Sequence, residues 1–239
     1  MILTYQHKFL FLRPPKSSGA SLEVALADFC GADDLITPIN KNVIQENISN
    51  PLVANHMPAL EGPKHGLNNP WNFESHTPYK EVELYYDLTE FTTISITRNP
   101  FEKLVSRYYH YLENSNWSEQ TYQFKRFLSA MLKNYTVPNG YIHKDLAVHD
   151  NAWDKIDMWV RYDHLKEDIL CIENKFKLVG LYKKFKTLNL HGNYHRKCGS
   201  STNCQVIAEF YEMNHCLDLV PTIQKIYSEE IARFNYKLR

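Results

Sequence analysis

The order of apolar and polar positions near the start of the chain predicts a strand, a loop and a helix in succession. Residues 8–13 (KFLFLR) form a short apolar run of strand length. Pro14, Pro15 and Gly19 then mark a tight loop. Beyond the loop, apolar residues recur at helical spacing, at Leu22, Ala25, Leu26 and Phe29.

Two further strand–helix units follow the same plan. Residues 92–97 (TTISIT) are β-branched and strand-like, and Arg98-Asn99-Pro100 ends that strand. The next helix has one apolar face, made of Phe101, Leu104, Val105, Tyr108, Tyr109 and Leu112. Residues 158–162 (MWVRY) predict another strand, and residues 165–176 predict the helix after it.

Strands that alternate with helices predict parallel pairing. We therefore expect an α/β fold of the P-loop-like kind, a three-layer sandwich with a central parallel sheet flanked by helices. A chain of 239 residues suits one domain of this size, so a single domain over residues 1–239 is predicted. A last amphipathic helix is expected around residues 220–234.

Composition and charge exclude several classes of partner. Lys+Arg and Asp+Glu are equal at 27 each, so no overall field directs the chain to nucleic acid or to an anionic membrane. The five cysteines are too few and too scattered for a disulfide framework, although Cys198 and Cys204 could pair across a short loop. The first residues (MILTYQHKFLFLRPPK) lack the features of a signal peptide, and we expect a soluble, cytoplasmic protein.

The first candidate site is the loop at residues 14–23 (PPKSSGASLE). A loop between a strand and a helix directs backbone N–H groups and a helix N-terminus at an anion. Lys16 adds a positive charge, and hydroxyl donors come from Ser17, Ser18 and Ser21. The GxxxxGK[ST] spacing of a nucleotide-triphosphatase P-loop is absent. An ordinary turn with an exposed lysine is the alternative interpretation.

The second candidate site is residues 98–109 (RNPFEKLVSRYY). Arg98 stands where a strand ends, which is the usual place for ligand contacts in an open α/β sheet. Its guanidinium can hold a phosphate through two hydrogen bonds, and Ser106 adds a short hydroxyl donor. The alternative is a helix-capping arginine and a surface serine.

Together the two segments resemble the sulfotransferase family. Residues 8–23 are similar to the family's strand, P-K-[ST]-x-G-[TS]-[ST] loop and helix, which bind the 5′-phosphosulfate. Residues 96–109 are similar to its 3′-phosphate motif, R-[ND]-P-x-x-[RK]-x-x-S-x-[YF]. Residues 161–169 and the C-terminal YSEEIARFNYKL resemble segments of carbohydrate sulfotransferases. Two positions depart from the pattern, Ala20 in place of Thr or Ser and Lys103 in place of the commoner Arg.

The resemblance implies sulfuryl transfer from 3′-phosphoadenosine-5′-phosphosulfate (PAPS) to an acceptor hydroxyl, with a saccharide favoured as acceptor. Lys16 would stabilise the leaving phosphate oxygen, assisted by backbone amides from Ser18 through Gly19 and Ala20 to Ser21. Arg98 and Ser106 would bind the 3′-phosphate. Arg196 and Lys197, beside Gly199, resemble the late basic loop that closes over the 3′-phosphate in related enzymes. An exposed, mobile basic loop is the alternative for these two residues.

A hydroxyl acceptor calls for a general base, and His76 is the first candidate. Thr77 and Pro78 predict the start of a helix directly after it. A histidine at a similar interval before the 3′-phosphate arginine is the base of uronyl 2-O-sulfotransferases, which this region resembles. His56 is the second candidate, and Glu23 and Glu74 are weaker ones. A loop or capping role is the alternative for His76.

No metal is expected. The set His191, His195, Cys198, Cys204, His215 and Cys216 does not form a known zinc spacing, and the reaction needs no metal. Two other functions remain as alternatives. One is a small-molecule or nucleoside kinase, which would need a Mg²⁺-binding Ser/Thr after the loop lysine. The other is a glycan-binding relative that has lost its donor site.

Overall fold

In the computed structural model, the described residues are 1–37, 71, 73–113, 115, 123–135, 141–149, 152–188 and 204–238. Arg196, Lys197 and His56 lie outside them. The chain divides into two compact units. The first unit comprises Met1–Thr97 and Ala147–Leu190, and the second comprises Arg98–Leu146 and His191–Arg239. A single domain over residues 1–239 stays a prediction.

The strands in the described residues are β1 (Ile2–Thr4), β2 (Phe9–Leu12), β3 (Leu35–Ile36), β4 (Thr92–Thr97) and β5 (Met158–Arg161). They form one sheet in the first unit, in the order β3–β1–β2–β4–β5. β4 is parallel to β2 and β5, and Leu12 pairs with Ser95 near the carboxyl ends of β2 and β4. β1 is antiparallel to both β2 and β3.

The α-helices of the described residues are α1 (Gly19–Ala27), α2 (Tyr79–Val82), α3 (Pro100–Glu113), α4 (Phe124–Lys133), α5 (Tyr141–Ala147), α6 (Leu165–Phe176), α7 (Leu181–Thr187), α8 (Cys204–Met213), α9 (Val220–Ile226) and α10 (Ser228–Phe234). Short 3₁₀ turns occur at Trp153–Lys155, Tyr162–His164 and Leu217–Leu219.

Apolar side chains cover both faces of the sheet. On one face, Phe9, Phe11 and Ile96 pack in a core with residues of α1, α6 and α7. On the other face, Leu10 and Leu12 pack with residues of α2 and of the segment before β5. Burial on both faces explains why the central strands are almost continuously apolar in sequence. The predicted α/β class, with a central sheet flanked by helices, is confirmed.

Some elements differ from the sequence predictions. The predicted helix around residues 220–234 is two helices, because Tyr227 leaves helical geometry between α9 and α10. α2 begins at Tyr79 rather than Pro78. The hydroxyl of Thr77 donates to the carbonyl of Glu74 at 2.8 Å instead of capping a helix. β1 and β3 are three and two residues long, which is too short for a periodic signal.

A buried ion cluster joins three helices of the second unit. The ammonium of Lys103 on α3 lies 2.9 Å from Asp145 of α5 and 2.8 Å from Glu230 of α10. Lys103 is only 2% exposed. Burial acts to lower the pKa of Lys103, but the two carboxylates outweigh it and hold the pKa above its ordinary value. Lys103, which stands where the motif resembled by this segment more often has arginine, therefore neutralises buried carboxylates.

We expect Lys103→Met to destabilise the protein by about 3–5 kcal/mol, because it leaves two buried carboxylates without their cation. The matched control is Lys125→Met, which removes an exposed pair with Asp218 in the same unit. That change should cost about 1 kcal/mol or less. Urea denaturation measures both, and equal losses would contradict a special role for the Lys103 cluster.

Candidate functional site

The loop between β2 and α1 has a backbone shaped for an anion. Lys16 has φ 58° and Ser18 has φ 67°, so two non-glycine residues adopt the left-handed conformation on either side of Ser17. Successive N–H groups in such a loop can converge on one anion. The side chain of Ser18, at the N-cap of α1, makes no capping hydrogen bond. The first N–H groups of α1 are therefore not satisfied by that side chain.

The side chains of the loop divide into internal and accessible ones. Ser17 is buried, and its hydroxyl donates to the carbonyl of Pro14 at 2.7 Å. That hydroxyl, predicted to bind the donor, thus closes the loop. Lys16, Ser18, Ala20 and Ser21 are only partly buried and line the accessible side.

Gly19 and Arg13 pack closely at the base of this loop. A Cβ atom on residue 19 would lie 2.3 Å from Cγ and 2.9 Å from Cδ of Arg13. The chain of Arg13 therefore occupies the space that any larger residue would need. Glycine is required here for close packing, not for a positive φ.

An ion pair beneath the loop holds Arg13 in this position. Its Nε lies 3.0 Å from Oε2 of Glu23 on α1, although the two atoms are not aligned as a hydrogen bond. Glu23 is 0% exposed and also accepts a hydrogen bond from the Met1 ammonium. Burial favours the neutral acid, but Arg13 and the Met1 ammonium together outweigh it and lower the pKa of Glu23. Glu23 was a weaker candidate for the general base. In the structure it is a buried carboxylate that already forms ion pairs with Arg13 and the Met1 ammonium.

His76 lies against the same loop. Its Nδ1 is 2.6 Å from the carbonyl oxygen of Arg13. A carbonyl can only accept, so Nδ1 carries the proton and Nε2 keeps its lone pair. Burial, followed by the charge of Arg13, lowers the pKa of His76 to about 4. The imidazole is therefore neutral at pH 7. Glu74, the other candidate on this segment, is exposed.

A second polar contact supports the strand that leads into the loop. The hydroxyl of Ser95 on β4 donates to the carbonyl of Leu12 at 3.1 Å and lies 2.6 Å from Nε2 of His149. His149 is buried, with its ring 4.9 Å from those of Trp153 and Trp159. Sequence reasoning missed both His149 and Arg13. His149 stands in no recognisable motif, and Arg13 precedes the specified positions of the first motif.

The second predicted segment opens α3 in the second unit. Asn99 caps this helix, because its Oδ1 accepts from the N–H of Phe101 at 3.1 Å, and Pro100 is the first helical residue. Arg98 is buried, and its Nε donates to Glu102 at 3.1 Å. Ser106 lies further along α3 and is also buried. The cap and Glu102 therefore fix the position and orientation of the arginine within this unit.

The described residues contain neither a metal-binding cluster nor a membrane-spanning helix. No group of three or more His, Cys, Asp or Glu side chains in this part of the chain is placed to hold a metal ion. None of the described helices is both long and apolar enough to cross a membrane.

Comparison with known proteins gives a family. A model of the sulfotransferase family matches residues 1–237, a range that includes both candidate segments. Neither the curated proteins nor the solved structures give a match to the chain. The resemblance predicted from the sequence motifs is thus confirmed at the level of the family.

We expect Gly19→Ala to destabilise the protein by about 1–3 kcal/mol, because the new methyl group must displace Arg13 from its place above Glu23. Gly31→Ala is the matched control. A Cβ there would meet the flexible end of Gln6 at 3.1 Å and would lie at an ordinary contact distance, 3.9 Å, from Asp34. Thermal unfolding of the two variants tests the packing, and similar melting temperatures would show that Arg13 moves without cost.

Proposed function

Since the chain belongs to the sulfotransferase family, we propose that it transfers a sulfuryl group from PAPS to a hydroxyl of a saccharide. The loop between β2 and α1 carries this proposal. It combines two left-handed residues, a glycine without space for a side chain and a partly buried lysine. That combination fits a phosphosulfate, which needs several converging donors and close approach of the backbone.

We assign the two ends of the donor to the two motifs. Backbone N–H groups at residues 17–21, the hydroxyls of Ser18 and Ser21, and the ammonium of Lys16 would bind the 5′-phosphosulfate. Arg98 and Ser106 would bind the 3′-phosphate, with Glu102 holding the guanidinium through Nε. Ala20 supplies only its backbone N–H, where the family usually adds a hydroxyl. Arg196 and Lys197 remain proposed contacts to the 3′-phosphate.

The transfer step uses Lys16 and His76. An acceptor oxygen attacks the sulfur while the bond from sulfur to the 5′-phosphate oxygen breaks. Lys16 would stabilise the negative charge that develops on this leaving oxygen. Nε2 of His76 would accept the proton of the acceptor hydroxyl. The contact with the Arg13 carbonyl supports this role, because it fixes the tautomer that leaves Nε2 unprotonated.

An exposed aromatic pair supports a saccharide as acceptor. Trp71 and Tyr85 stack with ring centroids 4.4 Å apart, and Trp71 is 50% exposed. A large accessible aromatic face can pack against the C–H face of a sugar ring. Trp71 lies five residues before His76 in the same unit. Trp117 and Tyr122, which could also stack on a sugar, lie outside the described residues. A cytoplasmic location stays a prediction.

Calorimetric titration with 3′-phosphoadenosine 5′-phosphate (PAP) tests the donor assignment. We expect PAP to bind more tightly than ATP. A kinase would bind ATP more tightly, and a glycan-binding relative without a donor site would bind neither nucleotide. Arg98→Ala should weaken PAP binding by about 1.5–3 kcal/mol, since one charge-assisted contact is lost. Adenosine 5′-phosphosulfate lacks the 3′-phosphate, and its affinity should not change. Equal losses for both ligands would mean that Arg98 acts only through the structure.

The pH dependence of the reaction tests the base. Because a protonated imidazole cannot accept a proton, kcat/KM for the acceptor should fall as the pH drops through the His76 pKa of about 4. His76→Ala should lower turnover by about 10²–10⁴-fold without changing PAP affinity. His7→Ala is the control, because this ring also contacts a backbone carbonyl, that of Phe29 at 3.1 Å. If His56→Ala loses turnover while His76→Ala keeps it, His56 and not His76 is the general base.

A further inference from the structure

A cleft in the first unit lies away from the donor loop. It is a cleft of about 410 Å³ whose lining includes Thr93, near the start of β4, and Asp157, just before β5. The cleft is therefore at the amino ends of these parallel strands. The donor loop follows the carboxyl end of β2, which is the opposite edge of the same sheet. A ligand in this cleft would not compete with the donor for the loop.

The lining of the cleft carries an excess of negative charge. Four carboxylate side chains line it, against the single ammonium of Lys155. Asp157 is fixed by the N–H of Thr93, which donates to it at 2.7 Å. Asp87 accepts hydrogen bonds from the N–H and the hydroxyl of Thr89, and these bonds lower the pKa of Asp87. The cleft thus suits a cationic ligand.

A buried tyrosine adds an observation independent of the charge. Tyr79 lines the cleft and is 8% exposed, yet its hydroxyl has no hydrogen-bond partner within the described part of the chain. Burial first, and then the charges of Glu83 and Asp157, raise the pKa of Tyr79. The hydroxyl therefore lies within the field of two lining carboxylates. This hydroxyl is not among the fully buried polar atoms of the described residues that lack a partner, so it is open to the cleft, where a ligand N–H can donate to it.

Aromatic side chains in the lining favour an organic cation over a metal ion. Tyr86 and Phe91 also line the cleft, and aromatic faces attract organic ammonium ions. No three acidic side chains among the described residues are placed to share a metal ion, so the negative charge is spread around the cleft. Its volume falls in the range of small-molecule sites.

We propose that this cleft binds a small organic ammonium ion. The N–H groups of the ammonium donate to the hydroxyl oxygen of Tyr79 and to the carboxylates of Glu83 and Asp157, while its carbon chain packs against Tyr86 and Phe91. The proposal goes beyond sulfuryl transfer and does not depend on it, since the two sites lie at opposite edges of the sheet.

Titration of the full chain with two amines tests the proposal. The probes are 1,4-diaminobutane, whose ammonium groups donate hydrogen bonds, and tetramethylammonium, which has no N–H. Both should bind in a saturable manner, and succinate should not. Tyr79→Phe should weaken 1,4-diaminobutane by about three- to tenfold, the worth of one hydrogen bond, and leave tetramethylammonium unchanged.

Charge variants complete the experiment. Glu83→Gln, an exposed position, should weaken both amines by a similar factor. Glu90→Gln is the matched control, because this carboxylate is exposed, adjoins Phe91 and does not line the cleft. Absence of saturable amine binding, equal binding of succinate, or equal effects of the two glutamine variants would overturn the proposal. An unchanged affinity of 1,4-diaminobutane for Tyr79→Phe would also overturn it.

Discussion

The candidate site depends on a buried carboxylate that must be neutralised. Glu23 lies fully buried on α1, and Arg13 is the side chain that reaches it from the loop. The same arginine fills the space beside Gly19 with its alkyl chain and offers its carbonyl to His76. One ion pair therefore sets the shape of the loop, the identity of residue 19 and the tautomer of the candidate base.

This arrangement has a chemical consequence for His76. A base that is kept neutral by burial and by a nearby guanidinium is always ready to accept a proton at pH 7, although it is a weaker base than a free imidazole. The second unit follows a similar principle with opposite sign. There Lys103 is the buried ion, and Asp145 and Glu230 surround it, so that α3 is held to α5 and α10.

Local patterns predicted the central strands and the helices α1, α3 and α6, because each has enough apolar residues at regular spacing to identify the element. The contact between His76 and Arg13 joins residues far apart in sequence, and no local pattern could reveal it. The left-handed backbone of Lys16 was equally hidden, since glycine usually marks that conformation. Ser17 shows a third limit. Its place in the motif suggested a ligand contact, but its burial directs the hydroxyl to Pro14.

In the proposed function, the backbone of this loop binds the 5′ end of the donor. Amide NMR can test it directly by following the N–H signals of residues 17–21 during titration with PAP and with adenosine 3′-phosphate. Both ligands carry the 3′-phosphate, and only PAP carries the 5′-phosphate. We expect large, saturable shifts of these amides with PAP and small ones with adenosine 3′-phosphate. Equal shifts with both ligands, or none with PAP, would contradict it.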